Sequence, residues 1–205
     1  PTADDLFISE TSEVGSNLTK YVEIANFTGA DVSLDQYFLG AVSNAPATVG
    51  EYERAIEFTS GAIIANGDVW VLGRAESGDG SPEALSSNID QVTGQTGISH
   101  NGDDAYKLFK KASASDDPSQ TATVVDVFGD YQGDPGSDWT ACGDTAASSE
   151  SVMIKKATKA GTDSWATSAG TDATDCWWEI TKISDQDAHD YATVGSHTWT
   201  GETNN

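Results

Sequence analysis

At 205 residues the chain is long enough to form one all-β domain with a sizeable core. It carries 33 acidic against 10 basic residues, a formal charge of -23. A field that negative opposes binding to DNA, RNA or anionic membranes, where clustered cations supply most of the attraction, so nucleic acid is excluded as an expected partner. Six Trp, six Tyr and six Phe are spread along the chain, which argues for a packed fold over an acidic disordered segment.

In chain order, the first elements flank a loop within "LFISETSEVGSNLTKYVEIANFTG", residues 6 to 29. Alternation with period two sets Leu6 and Ile8 toward a core and Phe7 opposite them. In "KYVEIAN" it sets Tyr21, Glu23 and Ala25 on one face and Val22, Ile24 and Asn26 on the other. The pattern predicts two half-buried strands joined by the polar loop "TSEVGSNLT". Short strands follow over 32–34 and 37–42, then around Ala55, Ile56 and Phe58, and at Ile63 and Ile64. Asn66-Gly67-Asp68 predicts a tight turn into a buried strand over 69–72. "AESGDGSPEALSSN" reads as a loop with a helical turn after Pro82, and strands resume at "IDQV", "AYKLFKK" and "TVVDVFGDY". Asn101-Gly102 predicts a hairpin turn.

From Gly129 the texture changes to Gly, Asp, Ser, Thr and Trp, with one clear strand at "SVMIKK" and a helical turn near "SDQDAHDYA". No long helical stripe, repeat or interdomain linker is visible, and no run of about 18 apolar residues exists to span a bilayer. Many short strands at a spacing of roughly 8 to 12 residues are the signature of a sandwich or barrel. The chain begins "PTADDLF" without Met, which reads as a mature N-terminus whose secretory signal has been removed, the alternative being a trimmed chain.

Several later segments, taken in order with the opening ones, resemble a known family over nearly the whole chain. Ile8-Ser9-Glu10, the stretches 23–26, 32–39 and 67–72, then "HNGDDAYKLFK", "VVDVFGDYQGDPGSDW", "SESVMIKKATKAG" and "VGSHTW" are similar to the extracellular bacterial version of the lamin-tail domain. That resemblance implies an immunoglobulin-like β-sandwich of secreted or surface proteins, appended to nucleases, phosphatases or other hydrolases, or standing alone. It implies no catalytic residues. The chain departs from the family's pattern in having a cysteine pair and no recognisable enzyme domain beside the module.

Cys142 and Cys176 are the two cysteines, and in a secreted β-domain such a pair most simply forms one disulfide, closing 34 residue steps. Buried free thiols and a reactive thiol are the other readings. Asp130, Asp134 and Asp138 recur across a Gly/Pro loop, a pattern read either as turn caps or as ligands for calcium, which takes six to eight oxygens. His100, His189 and His197 lack zinc spacing, and no HExxH, CxxC, GxSxG, P-loop or GxGxxG occurs. Trp139, Trp165, Trp177, Trp178 and Trp199 crowd the last third, where they serve a core, a glycan platform or an interface. Neighbouring Trp177 and Trp178 point to opposite faces of a strand, so one of them is a candidate binding residue. Asn17 and Asn26 fit the glycosylation pattern of a eukaryotic secretory pathway.

The expectation is therefore a single domain over residues 1–205, with its core from about residue 5 to residue 200. It is all-β, an immunoglobulin-like β-sandwich with an elaborated, loop-rich C-terminal third, secreted or on a cell surface. Its expected role is that of a non-catalytic structural or adhesive module, a subunit or decoration of a filament, surface layer or particle. Its expected partners are copies of itself or other extracellular proteins. The alternative is an accessory module that binds glycans or a partner hydrolase, which an exposed Trp/Tyr groove would favour. A hydrolase is the third reading, favoured by a cleft with two converging carboxylates.

Overall fold

The structure, a computed structural model, describes residues 1–44, 51–74, 82–94 and 97–201. β1 (Phe7–Glu13) and β2 (Tyr21–Asn26) pair antiparallel, with Leu6, Ile8, Val22 and Ile24 on the inner face and Phe7, Tyr21 and Ala25 on the other. β1 runs further than its alternation suggests, for Thr11, Ser12 and Glu13 are strand and not loop. β11 (Ser151–Lys155) bonds the far side of β1 at these positions, so two ladders hold polar residues that no turn claims. The connection 14–20 holds a short 3₁₀ turn, Asn17–Thr19, in which the Leu18 amide donates to the Ser16 hydroxyl.

Two sheets face each other over one core. The six-stranded sheet has the order β12 (Trp178–Lys182), β11, β1, β2, β7 (Asp68–Gly73), β8 (Gln91–Val92), with β8 parallel to β7. The four-stranded sheet has the order β10 (Ala122–Phe128), β9 (Ala105–Lys111), β4 (Tyr37–Val42), β5 (Arg54–Glu57), and β3 (Val32–Ser33) with β6 (Ile63–Ile64) forms a small ribbon. Ile8, Ile24, Leu72 and Met153 of the first sheet meet Leu39, Ile56 and Leu108 of the second. This is an all-β sandwich, and each fully buried Leu or Ile contributes about 1.5–3 kcal/mol to it.

The strands are not half-buried as the alternation suggests. Every residue of β1 and β2 is buried, because a third layer covers the outer face of the six-stranded sheet. Leu85 of α1 (Glu83–Ser86) and Tyr191 and Val194 of the C-terminal segment pack onto Phe7, Tyr21, Ala25 and Val71. Trp199 lies 5.7 Å from the Phe7 ring, and Thr200 N donates to Ala157 O at 2.8 Å. The segment ends with Gly201 packed against the Pro1 ring, so the two ends of the described chain meet.

The Asn-Gly turns connect different sheets. Asn66-Gly67 leads from β6 into β7, whose partner is β2, and Asn101-Gly102 leads into β9, whose partners are β4 and β10. Asn66-Gly67 is a turn, with Gly67 at φ +90°; Gly102, at φ +99°, lies in a bend, and Asn101-Gly102 closes no hairpin. In the last third, the strand at Trp178 extends to Lys182 as β12, and α2 (Trp165–Ala169) is a helix that the sequence pattern does not predict; Ser164 caps α2 by accepting from Thr167 N at 3.2 Å. Among the described residues no helix is long and apolar enough to cross a membrane.

Candidate functional site

A β-bulge builds the most unusual chemistry in the molecule. Ile8 pairs with Ile24 and Glu10 with Glu23, leaving Ser9 as the extra residue between them. Strict alternation would drive Glu10 into the inner core beside Ile8; the bulge turns it to the outer face instead. There Glu10 and Glu23 sit as direct cross-strand neighbours, both almost wholly buried beneath the C-terminal segment.

Each carboxyl is held by donors. Tyr21 donates its hydroxyl to Glu10 Oε1, which Thr193 Oγ1 also reaches at 2.8 Å. Ser9 Oγ donates to Glu23 Oε1 at 2.7 Å, and Gly195 N to Glu23 Oε2 at 2.8 Å. Burial raises the pKa of both acids, and the neighbouring Glu10 charge adds to the effect on Glu23, which is pushed up to about 8. The carboxylates converge, as a hydrolase would need, yet Glu23 is fully closed off from solvent.

Beside this pair opens a cleft of about 360 Å³, lined by Glu10, Lys155, Glu179, Thr193 and His197 among others. At its base Lys155 Nζ lies 2.5 Å from Asp126 Oδ2, with both side chains at zero exposure. A second bulge, between Val124 and Asp126, aims Asp126 across the seam between the sheets. Its Oδ2 accepts from Ile8 N at 2.7 Å and its Oδ1 from Thr162 N at 3.0 Å. Burial pushes the Asp126 carboxyl up and the Lys155 amine down, each partly offset by the other. Burial and the nearby Lys155 charge depress the His197 imidazole to about 4.

The cysteines meet: Cys142 and Cys176 are disulfide-bonded with a Cα–Cα distance of 5.0 Å, within the ordinary range. The bridge ties the Trp139 loop to the α2–β12 connection, where Trp139, Trp165, Trp178 and Phe128 pack ring against ring at centroid distances of 5.6–6.4 Å. Trp178 is buried in this cluster, while Trp177 is half-buried with Lys159 Nζ 5.3 Å from its ring centre.

Asp130 and Asp134 close local turns, while Asp138 tethers its loop to Ser149. Their Oδ1 atoms accept from Gln132 N at 3.0 Å, Gly136 N at 2.7 Å and Ser149 N at 3.0 Å. Among the described residues no group of three or more His, Cys, Asp or Glu is placed to hold a metal ion. Asn26 is fully buried and its amide nitrogen donates to Ala30 O and Ile64 O, both at 2.8 Å, so in the folded chain that nitrogen is not open to a glycan. The side chain of Asn17 lies outside the described residues.

An aromatic cleft of about 400 Å³ lies on the outer face of the four-stranded sheet. Phe38 and Phe109 stack at 4.7 Å and Tyr52 meets both edge-on. Gly40 makes this possible, since a Cβ there would stand 2.8 Å from the Phe109 ring. No protein-family model matches the chain, and no curated protein matches it either.

Proposed function

We propose that the protein is a secreted, non-catalytic structural module of the lamin-tail type, which joins an extracellular assembly by accepting a strand from a neighbouring copy at an open sheet edge. One observation carries this reading. The edge strands β5 and β8 border a groove of about 460 Å³ lined by Ala55, Ile56, Gln91 and Val92. Within it the Gln91 side chain donates to Glu57 O and accepts from Thr59 N, both at 2.9 Å. Gln91 thus caps the Glu57–Thr59 end of this edge, and an added strand would pair beside Ala55 and Ile56. The disulfide is compatible with an oxidising, extracellular setting.

Charge sets the condition for self-association. At -23 per copy like molecules repel, and strand pairing with apolar contact must overcome that repulsion. Val92, 38% exposed on the edge, supplies part of such a contact. The Val92→Glu variant is expected to sediment as a monomer while its folding stability stays within about 0.5 kcal/mol of the parent. Sedimentation of the native secreted protein, with and without a chelator, is the direct test. A strict monomer without any partner in both conditions overturns the assembly reading.

The aromatic cleft favours a second reading, an accessory module that binds a glycan or a hydrolase through Tyr52. Loss of glycan or hydrolase binding in Tyr52→Ala, with the fold intact, would support it.

A further inference from the structure

We propose that Lys155 and Asp126 are joined by an intramolecular amide bond, a covalent cross-link between the two sheets of the sandwich. Lys155 ends β11 of one sheet and Asp126 follows the bulge in β10 of the other, and Nζ and Oδ2 stand 2.5 Å apart with no solvent exposure on either side.

An ammonium fits this place poorly. It carries three N–H donors, whereas among the described residues Asp126 Oδ2 is the one hydrogen-bond acceptor within reach of Nζ. Its other neighbours are the faces of the Trp178 ring at 5.0 Å and the Phe7 ring at 5.7 Å, which attract a cation but accept no conventional hydrogen bond. A charged pair in such surroundings carries a heavy desolvation penalty. An amide removes both charges and leaves one N–H and one carbonyl oxygen. Thr162 N or Ile8 N, each already bonded to an Asp126 oxygen, satisfies that oxygen.

The step balances without oxidant, reductant or other reactant. The lone pair of the neutral Lys155 amine attacks Cγ of the protonated Asp126 carboxyl and a C–N bond forms. The C–O bond to one oxygen breaks, and that hydroxyl leaves with a proton from the nitrogen as water. Burial favours the neutral form of each reactant, and the amides of Ile8 and Thr162 face the oxygens on which charge develops. The His197 imidazole lines the same cleft as Lys155, and its Nε2 has no hydrogen-bond partner among the described residues. The cleft beside Lys155 gives the water a way out.

Mass spectrometry of the denatured, reduced protein reads the bond directly. The expected mass is one water below that of the chain with two thiols, and proteolysis should yield a branched peptide containing residues 126 and 155. Lys155→Arg, which keeps the cation but lacks a primary amine, should restore the full mass. Recovery of Asp126 and Lys155 in separate linear peptides overturns the proposal, as does a one-water deficit that maps to any other residues. The measurement needs no assembled state, so its failure leaves the proposed function standing, and failure of that function leaves the bond standing.

Discussion

Glu23→Gln is expected to stabilise the protein above neutral pH and to change little in acid. The folded-state pKa of Glu23 is raised from 4.5 to about 8, chiefly by burial. In the unfolded chain the same carboxyl ionises near its ordinary value, so between those two limits the folded state binds more protons and stability falls as pH rises. The stabilising contribution is thus fully present below about pH 4 and is lost by about pH 8, amounting to on the order of 4 kcal/mol. Glutamine imitates the protonated acid: its carbonyl oxygen accepts from Gly195 N, and its amide donates to the Ser9 hydroxyl. Thermal unfolding of both proteins across this range should show curves that coincide in acid and separate steadily toward alkali. Curves that stay parallel throughout would sink the claim that Glu23 is held neutral.

Replacing Cys142 and Cys176 together by alanine should lower stability by about 3 to 4 kcal/mol, because the bridge restrains 34 residue steps of the unfolded chain. In a domain of this size that corresponds to a fall in Tm of roughly 10 °C. The loss should be felt first by Trp139, Trp165 and Trp178, which the bridge holds against one another, so tryptophan fluorescence should report it at lower temperature than far-UV circular dichroism. Thiol titration of the denatured, unreduced parent should find no free thiol. Two free thiols would remove the bridge from the account.

The sandwich was legible because Leu6, Ile8, Val22 and Ile24 alternate cleanly and because short β-branched runs recur between turn residues. The disulfide was legible from the count of cysteines. The acid pair was not, for a bulge is one unpaired residue, and nothing in "FISETSE" marks Ser9 as the extra one. Parity alone puts Glu10 with Ile8, and only the ladder shows them on opposite faces. Nor does alternation reveal a third layer. Alternation sets Phe7 opposite the core-facing Leu6 and Ile8, and what covers it, together with Tyr21, is a segment nearly the whole chain away. Of β12 only the start, at Trp178, is legible, because the rest of its WEITK pattern is a half-exposed edge among Asp and Thr residues with little apolar signal to read. Asp126 and Lys155 lie 29 residues apart on different sheets, a distance no local pattern spans.

The meeting of Pro1 and Gly201 bears on how the domain can be rewired. With residues 1 and 201 side by side, a variant joined there by a short flexible linker and reopened at a distant surface turn is expected to keep the same layers. The same adjacency lets the whole domain be inserted into a loop of another protein as a lateral outgrowth, since entry and exit occupy one spot on its surface. In a tandem array, successive copies would hang from a common line by one corner each.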